Sequence, residues 1–228
     1  MKKLFSKYIW KLGSCAAALA VVATTLTANS TCVWFSHQEK LSVQITEKLK
    51  SKGIISTSNE EVCAYGLRQI FSTLINVGTM FLIGMFMQMP VEAILFTIGY
   101  IPIRIYAGGY HASTPQRCWA FSAVMLWLAL CIVKYIPIGN WCISLILSLI
   151  SGIVILLLSP VEDQNKMLDE AEHHVYHVRT ILVFLIEAIT VVGLWLLQFQ
   201  KAALTIEIAW CAVAAMLLLG KAKKLFQE

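Results

Sequence analysis

The sequence is short of charge. Only 14% of its 228 residues are Asp, Glu, Lys or Arg, against about 25% in an ordinary soluble domain. Hydrophobic residues make up 58%, and the mean hydropathy is +0.73. A soluble core of this size cannot hide so much apolar surface, so the bilayer is the expected solvent. Metal-ligand spacings are also missing: there is no CxxC and no HExxH, and no zinc site is expected. The seven cysteines are odd in number and form no disulfide framework. Cys15, Cys131, Cys142 and Cys211 lie in apolar runs, where a thiol is usually a small inert hydrophobe. No basic run is interleaved with aromatics, which excludes a nucleic-acid groove. The net charge of +5 reads instead as Lys and Arg gathered on a cytoplasmic face. Internal repeats and low-complexity tracts are absent as well.

What is there is a series of apolar stretches. Leu12 to Phe35 carries no charge and is rich in Ala, Val and Thr. Gln69 to Gln88 follows, then Ala93 to Ile103, Trp119 to Val133 and Ile138 to Leu158. Ile181 to Phe199 and Ala202 to Leu219 form a final pair around Lys201. A full span needs about 20 residues. Ala93 to Ile103 and Trp119 to Val133 fall short of that, so these spans are expected to be short or partly re-entrant. Leu41, Ile45 and Leu49 recur at helical spacing with charges between them. That is the pattern of an amphipathic helix lying on a membrane surface. Residues 53–59 read as its turn, with a helix starting before Glu60-Glu61. Glu162 to Arg179 reads as a polar loop or surface helix. The fold class is therefore an all-α membrane protein with about six transmembrane helices, an N-terminal leader helix and an amphipathic surface helix. Lys and Arg concentrate in residues 40–68, in 104–117 and at Lys221, Lys223 and Lys224. Six spans after residue 68 put these stretches and the 162–179 segment on one side, which the positive-inside rule makes cytoplasmic.

One segment carries chemistry. It runs Arg104-Ile-Tyr-Ala-Gly108-Gly109-Tyr110-His111-Ala-Ser113-Thr114-Pro115-Gln-Arg117-Cys118. A cysteine peptidase needs a thiolate and a proton acceptor within hydrogen-bond reach. On an unbroken helix, residues seven apart would stand about 10 Å apart along the axis, so the chain must break between His111 and Cys118. Thr114 is a good N-cap and Pro115 a good first helical residue. Cys118 would then end the first turn of a helix entering the membrane. The positive helix end and Arg117 would both favour its thiolate. Gly108 and Gly109 permit a backbone turn that a Cβ would forbid. The same residues also fit a cytoplasmic loop with a stray histidine and a cysteine at a membrane edge, and residue types alone do not separate the two.

The segment resembles the AgrB family, the accessory gene regulator B proteins of Gram-positive quorum sensing. The family pattern Arg-x3-Gly-Gly-x-His-x6-Cys is met by Arg104, Gly108, Gly109, His111 and Cys118. Tyr65-Gly66 and Ser159-Pro160-Val161-Glu162 with Asn165-Lys166 follow the family layout from about residue 39 onward. The resemblance implies a membrane cysteine endopeptidase that matures a signalling peptide, with His111 as general base and Cys118 as nucleophile. Arg104 would support them by binding an acidic part of the substrate. No metal or organic cofactor is expected, and a homodimer is the assembly such proteins commonly form.

Residues 1–38 resemble AgrD, the precursor that such enzymes cut. Lys2 and Lys3 begin a basic start, Leu12 to Ala28 make an apolar leader, and Asn29 to Gln38 make a Cys-led core. The chain thus reads as two domains: residues 1–38, a leader and peptide core, and residues 39–228, the processing enzyme. The partner is a precursor peptide, with residues 1–38 a candidate substrate in cis. The family's rings commonly hold five residues, which implies a ring from Cys32 to Ser36. A departure follows at once, because Glu39 runs straight into the amphipathic start where a free precursor would carry an acidic tail. A secretory signal peptide is the competing reading of this segment, although Leu26-Thr27-Ala28 makes a poor small-residue cleavage site.

Rivals of other classes are a peptide exporter, resting on Glu187 and Glu207 inside apolar runs, and a non-catalytic membrane scaffold. Each acid lies within two turns of an expected span end, so snorkelling to the interface explains it equally well. His173 and His177 form an i,i+4 pair that a solvated helix explains better than a metal does. Trp10, Trp119, Trp141 and Trp210 fit interfacial anchors.

Overall fold

The computed structural model describes residues 28–56, 59–110, 114–136, 141–161 and 169–225. Seven helices make up these residues: α1 (Ala28–Ser51), α2 (Glu60–Phe86), α3 (Pro90–Ala107), α4 (Pro115–Tyr135), α5 (Trp141–Leu158), α6 (Glu170–Leu196) and α7 (Gln200–Leu225). Helices α2 to α7 are each long and apolar enough to cross a membrane, the architecture of a multi-pass membrane protein. Among the described residues there is no strand. The leader expected from Leu12 lies outside the described residues except for Ala28, as do Lys2, Lys3 and Trp10.

The two short spans are full helices. Ala93 to Ile103 fills out to Pro90–Ala107, and Trp119 to Val133 fills out to Pro115–Tyr135. A hydropathy reading stops at the first charge, whereas the hydrogen-bond ladder continues through Glu92, Arg104, Arg117 and Lys134. The segment before Arg179, read as a loop or a surface helix, is helical from Glu170 and continues into the span. Asp169 caps it, its side chain accepting from the Glu170 N–H at 2.8 Å, and the helix runs unbroken to Leu196.

The chain divides into two compact units, Met1–Ile75 and Asn76–Glu228. In the first, Lys50 pairs with Glu60 at 2.6 Å and Arg68 with Glu39 at 3.5 Å. These two contacts lay α1 antiparallel to the start of α2. The buried face of α1 carries Ser42 and Thr46, whose hydroxyls donate to the Glu39 and Ser42 carbonyls. Leu41 and Val43 stay exposed. Small side chains with self-satisfied hydroxyls let a helix pack closely; of the expected apolar stripe Leu41 is exposed and Ile45 and Leu49 are half-buried.

In the second unit α7 is the hub, packed against α3, α4, α5 and α6. Its most apolar window is 67% buried, against 11–39% in the other spans. Ala203, Ala209, Trp210, Val213 and Leu217 are buried all round it. Close approach explains this: a Cβ on Gly99 of α3 would stand 3.1 Å from Ile206 Cγ2. Two hairpins share one turn. Gln88 between α2 and α3 has φ 58, and Gln198 between α6 and α7 has φ 65. The following N–H reaches back five residues in each, Met89 to Gly84 at 2.8 Å and Phe199 to Leu194 at 2.8 Å. Both are Schellman closures with glutamine in the left-handed position usually held by glycine.

The buried acids do not snorkel. Glu187 is 9% exposed and accepts from Trp210 Nε1 at 2.7 Å. Glu207 is 1% exposed, and its Oε1 accepts from Ser144 Oγ and, at 3.2 Å, from Trp195 Nε1. Trp210 is therefore a core residue, and so is Trp119, while Trp141 is exposed as an interfacial anchor would be. In an apolar bundle the carboxyl groups need donors, and indole N–H groups on neighbouring helices supply them. Trp210→Phe removes the donor from Glu187 and should destabilise the bundle by about 1–3 kcal/mol, read as a lower midpoint of thermal unfolding in detergent. Trp141→Phe should leave that midpoint unchanged.

Candidate active site

Cys118 owes its place to how α4 begins. Thr114 is extended (φ −134, ψ 146), and its side-chain oxygen accepts from the Arg117 N–H at 3.4 Å. Pro115 takes the first helical position, where no N–H is needed. The Cys118 N–H bonds to the Thr114 carbonyl at 3.1 Å and closes the first turn. The thiol is free and half-buried at the positive end of the helix. Next to it, Trp119 is buried and donates from Nε1 to Thr79 Oγ1 at 3.0 Å, which fixes the rotation of α4 against α2. The break between His111 and Cys118 thus lies at Thr114-Pro115, where the sequence places it. His111, with Ala112 and Ser113, lies outside the described residues.

The chain entering His111 is held on all sides. Gly108 caps α3 with φ 70, and Gly109 follows with φ 111. Both need the left-handed region that favours glycine. Close contact is the second reason for glycine here. Val161 donates to the Ala107 carbonyl at 2.8 Å and accepts from the Gly109 N–H at 3.1 Å, so residues 108 and 161 form an isolated parallel bridge. A Cβ on Gly108 would stand 2.2 Å from the Val161 oxygen. A Cβ on Gly109 would stand 2.8 Å from Arg104 Nη1. On the far side the Tyr110 N–H donates to Met216 O of α7 at 2.9 Å, and a Cβ on Gly220 would come within 2.7 Å of Tyr110 N. The loop after α3, the segment after α5 and the end of α7 therefore meet at one end of the bundle.

Arg104 turns back on its own loop. Its Nη2 donates to the Tyr110 carbonyl, the last carbonyl before His111. Its Nη1 is buried with no hydrogen-bond partner among the described residues. One turn earlier Tyr100, 6% exposed, carries its hydroxyl to the Arg104 guanidinium and into electrostatic range of Cys118. Above Tyr110, Lys223 Nζ lies 5.4 Å from the ring centroid. Tyr100 escaped the sequence reading because a tyrosine inside an apolar run looks like core. Its only sequence signal is the i,i+4 spacing to Arg104.

Ser159-Pro160-Val161 was visible in the sequence as part of the family layout, without a role. The structure makes it a strap across the glycine pair, anchored on α6. His177 Nδ1 is 2.7 Å from the Ser159 carbonyl oxygen. Arg179 stacks over the Tyr106 ring at 5.6 Å, and Tyr176 meets the same ring edge-on at 6.0 Å. His173 and His174 are exposed, and the described residues contain no cluster of three metal-ligating side chains. Cys32 and Ser36 fall within α1, one helical turn apart, in the first compact unit.

The family profile described as Accessory gene regulator B matches residues 42–220. Among curated proteins, one named only as AgrB-like, from Clostridium perfringens strain SM101, is 23% identical over 137 residues, covering 56% of this chain and 63% of its own length. A second of that name, from C. perfringens strain 13, is 22% identical over the same extent. The chain thus spans less than two-thirds of these relatives' length. No solved structure matches it.

The contact distances sort the glycines. Gly108→Ala drives a methyl group into the Val161 carbonyl and strains a φ of 70. It should lower stability by about 1–3 kcal/mol. Gly78→Ala meets nothing within 4 Å and should be near neutral. Thermal unfolding of the two purified variants compares them.

Proposed function

The chain belongs to the accessory gene regulator B family, and from that membership we propose that it is a membrane cysteine endopeptidase maturing a quorum-sensing peptide. The observation that carries the reading is Cys118, free and half-buried on the first turn of α4. Supporting it, Arg104 and two glycines fix the backbone directly before His111. His111 is the general base and Cys118 the nucleophile. Arg104 is a positioning residue through the Tyr110 carbonyl. Its Nη1, buried and without a partner among the described residues, is the atom we assign to an acidic or carbonyl oxygen of the substrate. The exporter reading rested on Glu187 and Glu207; one oxygen of each accepts from an indole or hydroxyl donor that ties helices together, a structural role for both acids.

The substrate is a Cys-led precursor of the kind found at residues 29–38, either in this chain or in a second copy. The family profile begins at residue 42, beyond that segment. The Cys118 sulfur attacks the Ser36 carbonyl carbon and its proton passes to His111. The bond from Ser36 to the His37 nitrogen breaks, and His111 delivers the proton to that amine. A thioester on Cys118 remains. The Cys32 sulfur then attacks the same carbonyl, releasing the Cys118 thiol and closing a five-residue thiolactone. The second step exchanges one thioester for another and is near thermoneutral, so loss of the tail must help drive the sequence. Closing the ring requires α1 to unwind locally between Cys32 and Ser36, because a helical backbone keeps its carbonyl in the hydrogen-bond ladder. The segment holding His111 and the start of α4 holding Cys118 face the cytoplasm, on the clustering of Lys and Arg at that end.

Cys118→Ala and His111→Ala should each abolish release of the N-terminal fragment while leaving membrane insertion intact. Cys131→Ala, Cys142→Ala and Cys211→Ala should be nearly silent. Mass spectrometry of the released peptide should find a fragment ending at Ser36, one water short, that opens with hydroxylamine. Normal processing by the Cys118→Ala protein would sink the assignment. Topology has its own readout. A cysteine placed at Asn140 or Gln200 should react with an impermeant thiol reagent applied to intact cells, and one placed at Gln164 should not. Labelling at Gln164 from outside would reverse the orientation.

A further inference from the structure

The segment from Gly108 to Tyr110 has every backbone N–H engaged. Gly108 bonds to the Arg104 carbonyl at 3.2 Å, Gly109 to the Val161 carbonyl at 3.1 Å and Tyr110 to the Met216 carbonyl at 2.9 Å. Two of these acceptors sit on helices, where the i→i+4 ladder fixes them. The third, Val161, sits on a strap that has left α5. Its own N–H bonds to the Ala107 carbonyl at 2.8 Å, which ties one end of the strap to α3, and the other end needs its own anchor. Pro160 stiffens the strap by fixing its own φ and offers no N–H of its own. The Ser159 carbonyl lies past the end of α5, beyond the reach of that helix's own ladder, and Ser159 is 6% exposed. His177 Nδ1 meets that carbonyl at 2.7 Å. A carbonyl only accepts, so Nδ1 carries the hydrogen.

We propose that His177 is a positioning residue for the peptidase loop, acting through the Ser159-Pro160-Val161 strap on Gly109 and thereby on the chain entering His111. The proposal rests on His111 and Cys118 being the catalytic pair. The path is short and entirely polar. His177 holds the Ser159 carbonyl. Two residues on, the Val161 carbonyl holds the Gly109 N–H, and two residues further the chain reaches His111. The other groups facing this junction hold neighbouring parts of it: Arg179 and Tyr176 fix Tyr106 at the end of α3, and Arg104 fixes the Tyr110 carbonyl. Without His177 the Ser159 carbonyl loses this bond, and the strap keeps only the Val161 link to Ala107. A shift of about 1 Å in a catalytic group costs on the order of 10²-fold in rate. This gives α6, which also holds Tyr106 through Arg179 and Tyr176, a direct hold on the reaction.

The test uses the full chain in membranes with three variants. His177→Asn keeps an amide N–H close to the place of Nδ1. His177→Gln carries its amide one bond further, near the place of Nε2. His177→Ala has no donor. Two quantities are read: kcat and KM for precursor cleavage, and the rate at which iodoacetamide modifies Cys118 without substrate, followed by mass spectrometry of the Cys118 peptide. His177→Ala should lower kcat by about 10- to 100-fold with KM little changed. Asn should recover most of that loss and Gln should not. Cys118 modification in His177→Ala should slow to the rate of His111→Ala, and the double variant should be no slower than His111→Ala alone. A purely structural histidine would instead give losses that add in the double variant. If the alanine variant does not fold, the Asn and Gln pair still decides. Equal kcat in Asn and Gln, full kcat in His177→Ala or additive slowing in the double variant would each overturn the proposal. If Cys118→Ala still releases the fragment, the peptidase reading fails and takes this proposal with it. Loss of cleavage in Cys118→Ala with full cleavage in His177→Ala leaves the peptidase reading standing and removes only the positioning role.

Discussion

Buried non-helical backbone must find hydrogen-bond partners in the protein, because packed side chains exclude water from it. The end of α3 shows how that demand shapes the molecule. Ala107 has a carbonyl that its helix no longer serves, and the next three N–H groups need acceptors. Arg104, Val161 and Met216 supply those acceptors from three different parts of the chain. To come that near, two backbones must pass each other where a Cβ would collide, so residues 108, 109 and 220 are glycine. The fold draws the ends of α3, α5 and α7 into one junction, and the chain leaves that junction as His111.

The same demand operates deeper in the bundle with side chains. Glu187 and Glu207 would be prohibitively placed if they were unpartnered. Trp210, Trp195 and Ser144 reach them from neighbouring helices. These bonds tie α5, α6 and α7 together around the most buried helix. Small residues do the complementary work. Gly99 brings α3 against Ile206, and Gly152 lets Phe184 sit against α5 at 2.9 Å from a would-be Cβ. A rigid frame of this kind gives the junction at the end of α3 a fixed reference, which a site requiring sub-ångström placement needs.

The order of helices, the start of α4 at Thr114-Pro115 and the family were all legible in the sequence, because each depends on local rules. Apolar runs mark spans, Thr-Pro marks a helix start, and a short motif marks the glycine loop. Span ends were misjudged wherever a charge fell inside a helix, as at Glu92 and Arg104, since hydropathy counts side chains and the ladder counts backbone. Trp210, Glu187 and Glu207 were misread for a related reason. A tryptophan or glutamate near a span end looks interfacial until it is known which helix it faces.

Sequence alone determined that the chain is helical, that it carries about six membrane-spanning helices and that a histidine and a cysteine stand on either side of a proline that starts a helix. Those facts follow from interactions within a few residues of one another. Only the tertiary structure decided that the glycines are there for Val161 and Met216, that Arg104 serves the carbonyl beside His111, and that His177 holds the strap. Each of those contacts joins residues brought together by the packing of α3, α5, α6 and α7, or turns on a backbone path that no spacing rule encodes. The physical reason is that a hydrogen bond to a backbone carbonyl requires no particular residue at the acceptor, so the sequence carries no mark of where the donor will go.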